Sequence, residues 1–133
     1  KSPEKPAYTG PYNSPVVGLH SYVLVVPREG YNKEQLLTGI RAFNAAGFAA
    51  LNLVTEELPF DDSRAVIRVS GLPDRETAQN YLQQLTRNRS VFQPIEKVDY
   101  RNFLITNDNY AVFQNRKNIT EYMDFYKQVY LGQ

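Results

Sequence analysis

His20-Ser21-Tyr22-Val23-Leu24-Val25-Val26-Pro27 carries an unbroken apolar run from Tyr22 to Val26. As a β-strand this run would have two faces to bury, which predicts a central strand that ends at Pro27. Downstream, Asn32 predicts a helix cap with Gln35 at the third helical position. Leu36, Ile40 and Phe43, widened by Leu37, form the stripe of that helix, and Gly47 suits a left-handed stop. Residues 51–58 read as a second strand. Its paired Glu56 and Glu57 predict an edge position, because charge on an edge discourages pairing with other chains.

Further along, Pro59-Phe60-Asp61-Asp62-Ser63 predicts a turn into a third strand. There Ala65, Ile67 and Val69 would face a core and alternate with Arg64, Val66 and Arg68. Gly71-Leu72-Pro73 would break that strand. Asp74 would cap a second helix with the stripe Ala78, Tyr81, Leu82 and Leu85, fading over residues 86–90. Residues 91–98 read as a connection anchored by Phe92 and Ile95, and residues 100–106 as a fourth strand. A short helix over 107–114 would turn Tyr110 and Phe113 inward. Asn118 would cap a last helix with Ile119, Tyr122, Met123, Tyr126 and Tyr130 on its apolar side. Phe125 is out of phase with that side, which predicts exposure or an interface.

Upstream, residues 1–19 hold Pro3, Pro6, Pro11 and Pro15 with Gly10 and Gly18, and read as a proline-rich linker that makes no core. Tyr8 and Tyr12 are its aromatics fit to pack back. Residues 20–133 read as a single α+β domain. The order βαββαβ with two extra C-terminal helices predicts a ferredoxin-like antiparallel sandwich with the first and third strands in the middle. Its second sheet face stays open unless the C-terminal helices cover it.

Composition narrows the chemistry. The 133 residues include one His and no Cys, which excludes thiolate nucleophiles, disulfides and cysteine-based metal sites. With 15 Lys and Arg against 14 Asp and Glu, the net charge supplies no global field for nucleic acid or an anionic membrane. Acidic residues nevertheless gather over 29–62 and basic ones over 87–117. His20 lacks an accompanying nucleophile motif and reads as a residue leading into the strand. Asp61 and Asp62, with Glu56 and Glu57, lack calcium-loop spacing and read as a hairpin turn. The third strand offers no aromatic for base stacking, which argues against nucleic acid. No run approaches the length of a membrane-spanning helix. The expectation is a non-enzymatic domain with no cofactor and no metal.

The most informative feature is the density of aromatics near the C-terminus, beyond what a bare βαββαβ core requires. Tyr110, Phe113, Tyr122, Phe125, Tyr126 and Tyr130 are therefore the candidate partner-binding residues.

Two resemblances extend this reading. Arg64-Ala65-Val66-Ile67-Arg68-Val69-Ser70-Gly71-Leu72-Pro73, followed by Asp74 to Leu85, resembles the second half of a SPOR repeat, a βαββαβ module that binds bare glycan strands of bacterial peptidoglycan. The first-strand motif of such repeats, an aromatic pair running into Val-x-Gly-Ser-Phe, stands here as His20 to Pro27 without Gly-Ser-Phe. That resemblance implies glycan binding as the alternative function, with Arg64, Arg68 and Arg101 as its candidate residues. The second resemblance spans residues 20–131. His20 to Pro27, Phe43-Asn44, Phe103-Leu104-Ile105-Thr106-Asn107-Asp108-Asn109-Tyr110 and Tyr122-Met123-Asp124-Phe125-Tyr126 with Tyr130 resemble the C-terminal domain of the SprE/PorW family. These are tetratricopeptide-repeat lipoproteins of the gliding-motility and type IX secretion apparatus. The resemblance implies an interaction module at the end of a larger envelope protein, held on the periplasmic side of the outer membrane through a lipid-anchored N-terminal region, with a protein partner. The start at Lys1 without Met fits a piece of such a protein.

Overall fold

The computed structural model describes residues 10–132. The order is β1 (His20–Pro27), α1 (Lys33–Gly47), β2 (Val54–Pro59), β3 (Arg64–Leu72), α2 (Arg75–Thr86), α3 (Arg89–Phe92), β4 (Arg101–Thr106), α4 (Asn107–Arg116) and α5 (Ile119–Val129). Short 3-10 turns occupy Ala49–Leu51 and Gln93–Ile95. The fold is α+β. Its four strands form one antiparallel sheet in the order β2-β3-β1-β4, so the doubly apolar β1 is internal and β2 is an edge.

Register sorts the side chains into two layers. Tyr22 pairs with Val69 and Leu104, and Leu24 with Ile67, on the face where Tyr81 of α2 meets the Tyr22 ring at 5.9 Å. Val23 lies between Arg68 and Phe103, and Val25 between Val66 and Arg101, on the opposite face. Phe103 there meets Phe113 of α4 and Tyr122 of α5, with ring centroids at 5.3 and 4.6 Å. The C-terminal helices therefore roof the second face. Val66 is buried for that reason, and β3 has two core faces instead of the single one its alternation predicts.

Local signals explain most element starts. Asn32, Asp74 and Asn118 each accept a hydrogen bond from the backbone N–H three residues on, at 3.0, 2.7 and 3.0 Å. Three boundaries differ from expectation. Gly47 is the last residue of α1 rather than a left-handed stop: Phe48, at φ −134°, closes the helix with its N–H on the Asn44 carbonyl. The left-handed residue comes later, at Asn52 (φ 52°), after the 3-10 turn that delays β2 to Val54. Gly71 does not break β3. At φ +109° it carries the strand on to Leu72 beside Leu53. Residues 89–92, across the expected fading end of α2 and the start of the expected connection, form α3, whose Val91 is buried.

The expected linker needs a larger correction. Tyr8 lies outside the described residues. Residues 10–19 contain no helix or strand, yet Tyr12 and Val16 belong to the core.

Both sheet edges are blunted. On β2, Arg41 donates to the Thr55 carbonyl at 3.3 Å, and Pro59 has no N–H to offer. On β4, the Tyr122 hydroxyl donates to the Leu104 carbonyl.

Candidate functional site

The aromatic roof is built from its caps. Thr106 ends β4 and caps α4 by accepting from the Asn109 N–H at 3.2 Å. That fixes the helix phase so that Tyr110 and Phe113 face the sheet. Phe113 stacks on Phe60 at 5.3 Å, and Lys117 (φ 50°) turns the chain while its Nζ donates to the Phe60 carbonyl at 2.8 Å. Asn118 then starts α5. Tyr122 and Tyr126 flank Phe103, and Tyr126 stacks on Tyr130 at 4.7 Å.

All six candidate partner-binding residues lie in this roof, and all six are buried. Phe125, expected to be exposed or interfacial, is 0% exposed. Its out-of-phase position is accounted for by a second neighbour: Tyr12 of the N-terminal segment meets Phe125 at 5.3 Å and Tyr122 edge-on at 4.9 Å. Helix α5 is thus covered from two directions. Ile119 and Met123, placed on the apolar side, are only partly buried.

The N-terminal segment is held by one further device. Asn109, 1% exposed, accepts from the Asn13 N–H through Oδ1 at 2.8 Å and donates from Nδ2 to the Asn13 carbonyl at 3.1 Å. One side-chain amide thereby satisfies both main-chain groups of Asn13, as a neighbouring strand would. Residue-level reading missed this function of Asn109 because its partner is 96 residues away.

His20 ties the two ends together. Its Nδ1 is 2.8 Å from the Gly18 carbonyl, which only accepts, so Nδ1 carries the proton. Nε2 then accepts from the Tyr130 hydroxyl at 2.9 Å. Burial pushes the imidazole below its usual range, aided by Arg75 and opposed by the Gly18 bond and Asp74. Arg75 lies 5.0 Å over the Tyr130 ring and donates to the Val129 carbonyl. Burial also raises the Tyr130 and Tyr122 hydroxyls above the ordinary tyrosine range. These groups are protonated structural donors.

The alternative glycan residues do not converge. Arg68 is 4.2 Å above the Tyr110 ring and donates to the buried Ser21 hydroxyl at 3.0 Å. Arg64 pairs with Asp61 at 2.7 Å, and Arg101 with Asp99 at 3.0 Å. Arg64 and Arg101 share the rim of a shallow cavity of about 140 Å³ with Tyr100, and Arg68 is not part of it. Asp61 is the hairpin turn residue. It accepts from the Ser63 and Arg64 N–H groups, and the Arg64 guanidinium holds its carboxyl down to about 2. The acidic stretch is partly neutralised, from within by Lys33 to Glu57 at 2.7 Å and from β3 by Arg68 to Glu56 at 3.9 Å. Among the described residues, no group of three or more His, Asp or Glu is placed to hold a metal ion. No helix there is long and apolar enough to cross a membrane.

No known protein family, curated protein or solved structure matches this chain.

Proposed function

We propose that the chain is a ferredoxin-like, non-enzymatic interaction module that works within a larger bacterial cell-envelope protein, on the periplasmic side of the outer membrane, and holds a protein partner there. The observation that carries this reading is the aromatic roof, which already grips an irregular piece of polypeptide: Tyr12 against Tyr122 and Phe125, and the main chain of Asn13 on Asn109. The resemblance of the motifs around residues 20–27, 103–110 and 122–130 to those of the SprE/PorW family supports the envelope setting. The test is a pull-down from envelope extract, with the chain as bait beside a copy carrying Asp124→Arg and Lys127→Glu, which changes the exposed side of α5 and leaves the sheet intact. Proteins retained by the first and lost from the second support the reading. Identical recoveries count against the C-terminal layer.

Glycan binding is the competing reading. A glycan strand laid on the sheet would need a face that Phe113, Tyr122 and Tyr126 already cover. Co-sedimentation with amidase-treated sacculi is expected to leave the chain in the supernatant. Saturable sedimentation, lost in Arg64→Ala or Arg101→Ala, would reverse the order of the two readings.

A further inference from the structure

The N-terminal segment sits on the roof in the manner of a bound peptide. Between residues 11 and 16 only Tyr12 and Val16 are buried; Pro11, Asn13, Ser14 and Pro15 are exposed. The buried pair is four residues apart, and the main chain between them is read by Asn109. Contact is thus confined to one aromatic anchor, one backbone pair and one aliphatic anchor, while the intervening side chains face solvent. Pro11 and Pro15 stiffen the segment, so less chain entropy is lost when it docks. Gly18, at φ +82° with no heavy atom near a would-be Cβ, gives it a pivot just before β1. A cleft of about 420 Å³ between Gly10, Pro11 and the Glu121 and Asp124 side of α5 continues alongside.

We infer that this groove is a peptide-recognition site occupied in cis by residues 11–16, and that its trans ligand is a segment of a partner protein, bent in the same way, with an aromatic residue followed four positions later by an aliphatic one. Asn109 supplies the sequence-independent part of recognition, because a side-chain amide that pairs with N–H and C=O of one residue reads any non-proline residue there. Tyr122 and Phe125 supply the aromatic pocket. The cis segment acts as a competitor that sets the threshold a partner must exceed, since a site open only part of the time binds with an affinity reduced by that fraction. This deepens the interaction reading and rests on it. Failure of the groove would leave the envelope pull-down free to succeed through another surface.

The test uses the full chain carrying Tyr12→Ala and Val16→Ala, which weakens the cis segment, and a synthetic peptide of residues 9–19 as probe. Amide shifts of Tyr122, Phe125 and the Asn109 side chain report docking. Saturable shifts are expected, with at least about tenfold weaker binding for a peptide carrying Tyr12→Ala. A peptide N-methylated at Asn13 should also lose affinity, which a purely apolar contact would not show. Where the variant is unfolded alone, the same peptide is expected to restore its thermal transition in a concentration-dependent way. Absence of shifts in a folded variant overturns the inference, and so does an unfolded variant that the peptide fails to restore. A wild-type dimer that exchanges residues 11–16 between copies would assign the groove to a second copy and overturn the partner claim.

Discussion

At the scale of single residues, His20 is the side chain whose behaviour follows most directly from its surroundings. Its neutral form gives the Nδ1 proton to Gly18 and receives the Tyr130 hydroxyl at Nε2. The folded chain resists protonating it, whereas the unfolded chain takes a proton near the ordinary value of 6.5. Below that value protons favour the unfolded state, so this contribution is complete above about 6.5 and is lost as pH falls toward the lower folded-state value. Denaturant titrations from pH 8 to 5 should show a stability decline that is absent from His20→Phe. That variant should lose on the order of 1 kcal/mol at pH 8, because the buried Tyr130 hydroxyl loses its imidazole acceptor while the exposed Gly18 carbonyl can turn to water. Equal slopes in the two proteins would remove the His20 explanation. Little of this was legible in the sequence. A lone His before an apolar run fits a residue leading into a strand, but its partner Tyr130 is 110 positions away. Phe125 misled for the same reason: helical phase predicts burial from one direction, and α5 is covered from two.

At the scale of elements, short-range chemistry was the readable part. The caps Asn32, Asp74 and Asn118 act through backbone groups three residues away, so their signal is contained in the local sequence. The doubly apolar β1 and the glutamate-bearing edge β2 were likewise legible, since each burial pattern follows from strand position. Gly47 and Gly71 were not: a glycine permits a positive φ without requiring one, as at Gly47, and a positive φ does not by itself end a strand, as at Gly71. Edge strand β2 yields a prediction of its own. Replacing Pro59 and Glu57 together by Thr supplies the missing N–H and removes a charge from an exposed edge. Sedimentation velocity should then show concentration-dependent self-association while the circular dichroism spectrum stays that of the parent. A variant that remains monomeric at high concentration would mean that the Arg41 contact with Thr55 alone protects the edge.

At the scale of the whole molecule, the sheet is a middle layer, with α1 and α2 below and the aromatic roof above. The order βαββαβ made the lower half legible, and the surplus of C-terminal aromatics pointed to something above the sheet. What the sequence did not disclose is that residues 10–19 complete that roof, because a proline-rich segment with one tyrosine carries no periodicity to read. Hydrogen exchange should separate the layers. Residues Tyr22 to Val25 of β1 are paired on both sides and buried, so their amides should exchange only through global unfolding. The Asn13 amide, bonded to a single side chain, should exchange faster by local opening. Protection at Asn13 equal to that of β1 would show that the segment and sheet open as one unit. The attachment of this segment also has a mechanical meaning. A pull on the chain from the N-terminal side reaches Tyr12 and Asn13 before it reaches β1. It meets an aromatic contact and a two-bond amide clamp there, but a double ladder of strand hydrogen bonds at β1. Under load the segment is the weak link, so modest tension would bare Tyr122 and Phe125 while the sheet still bears the force.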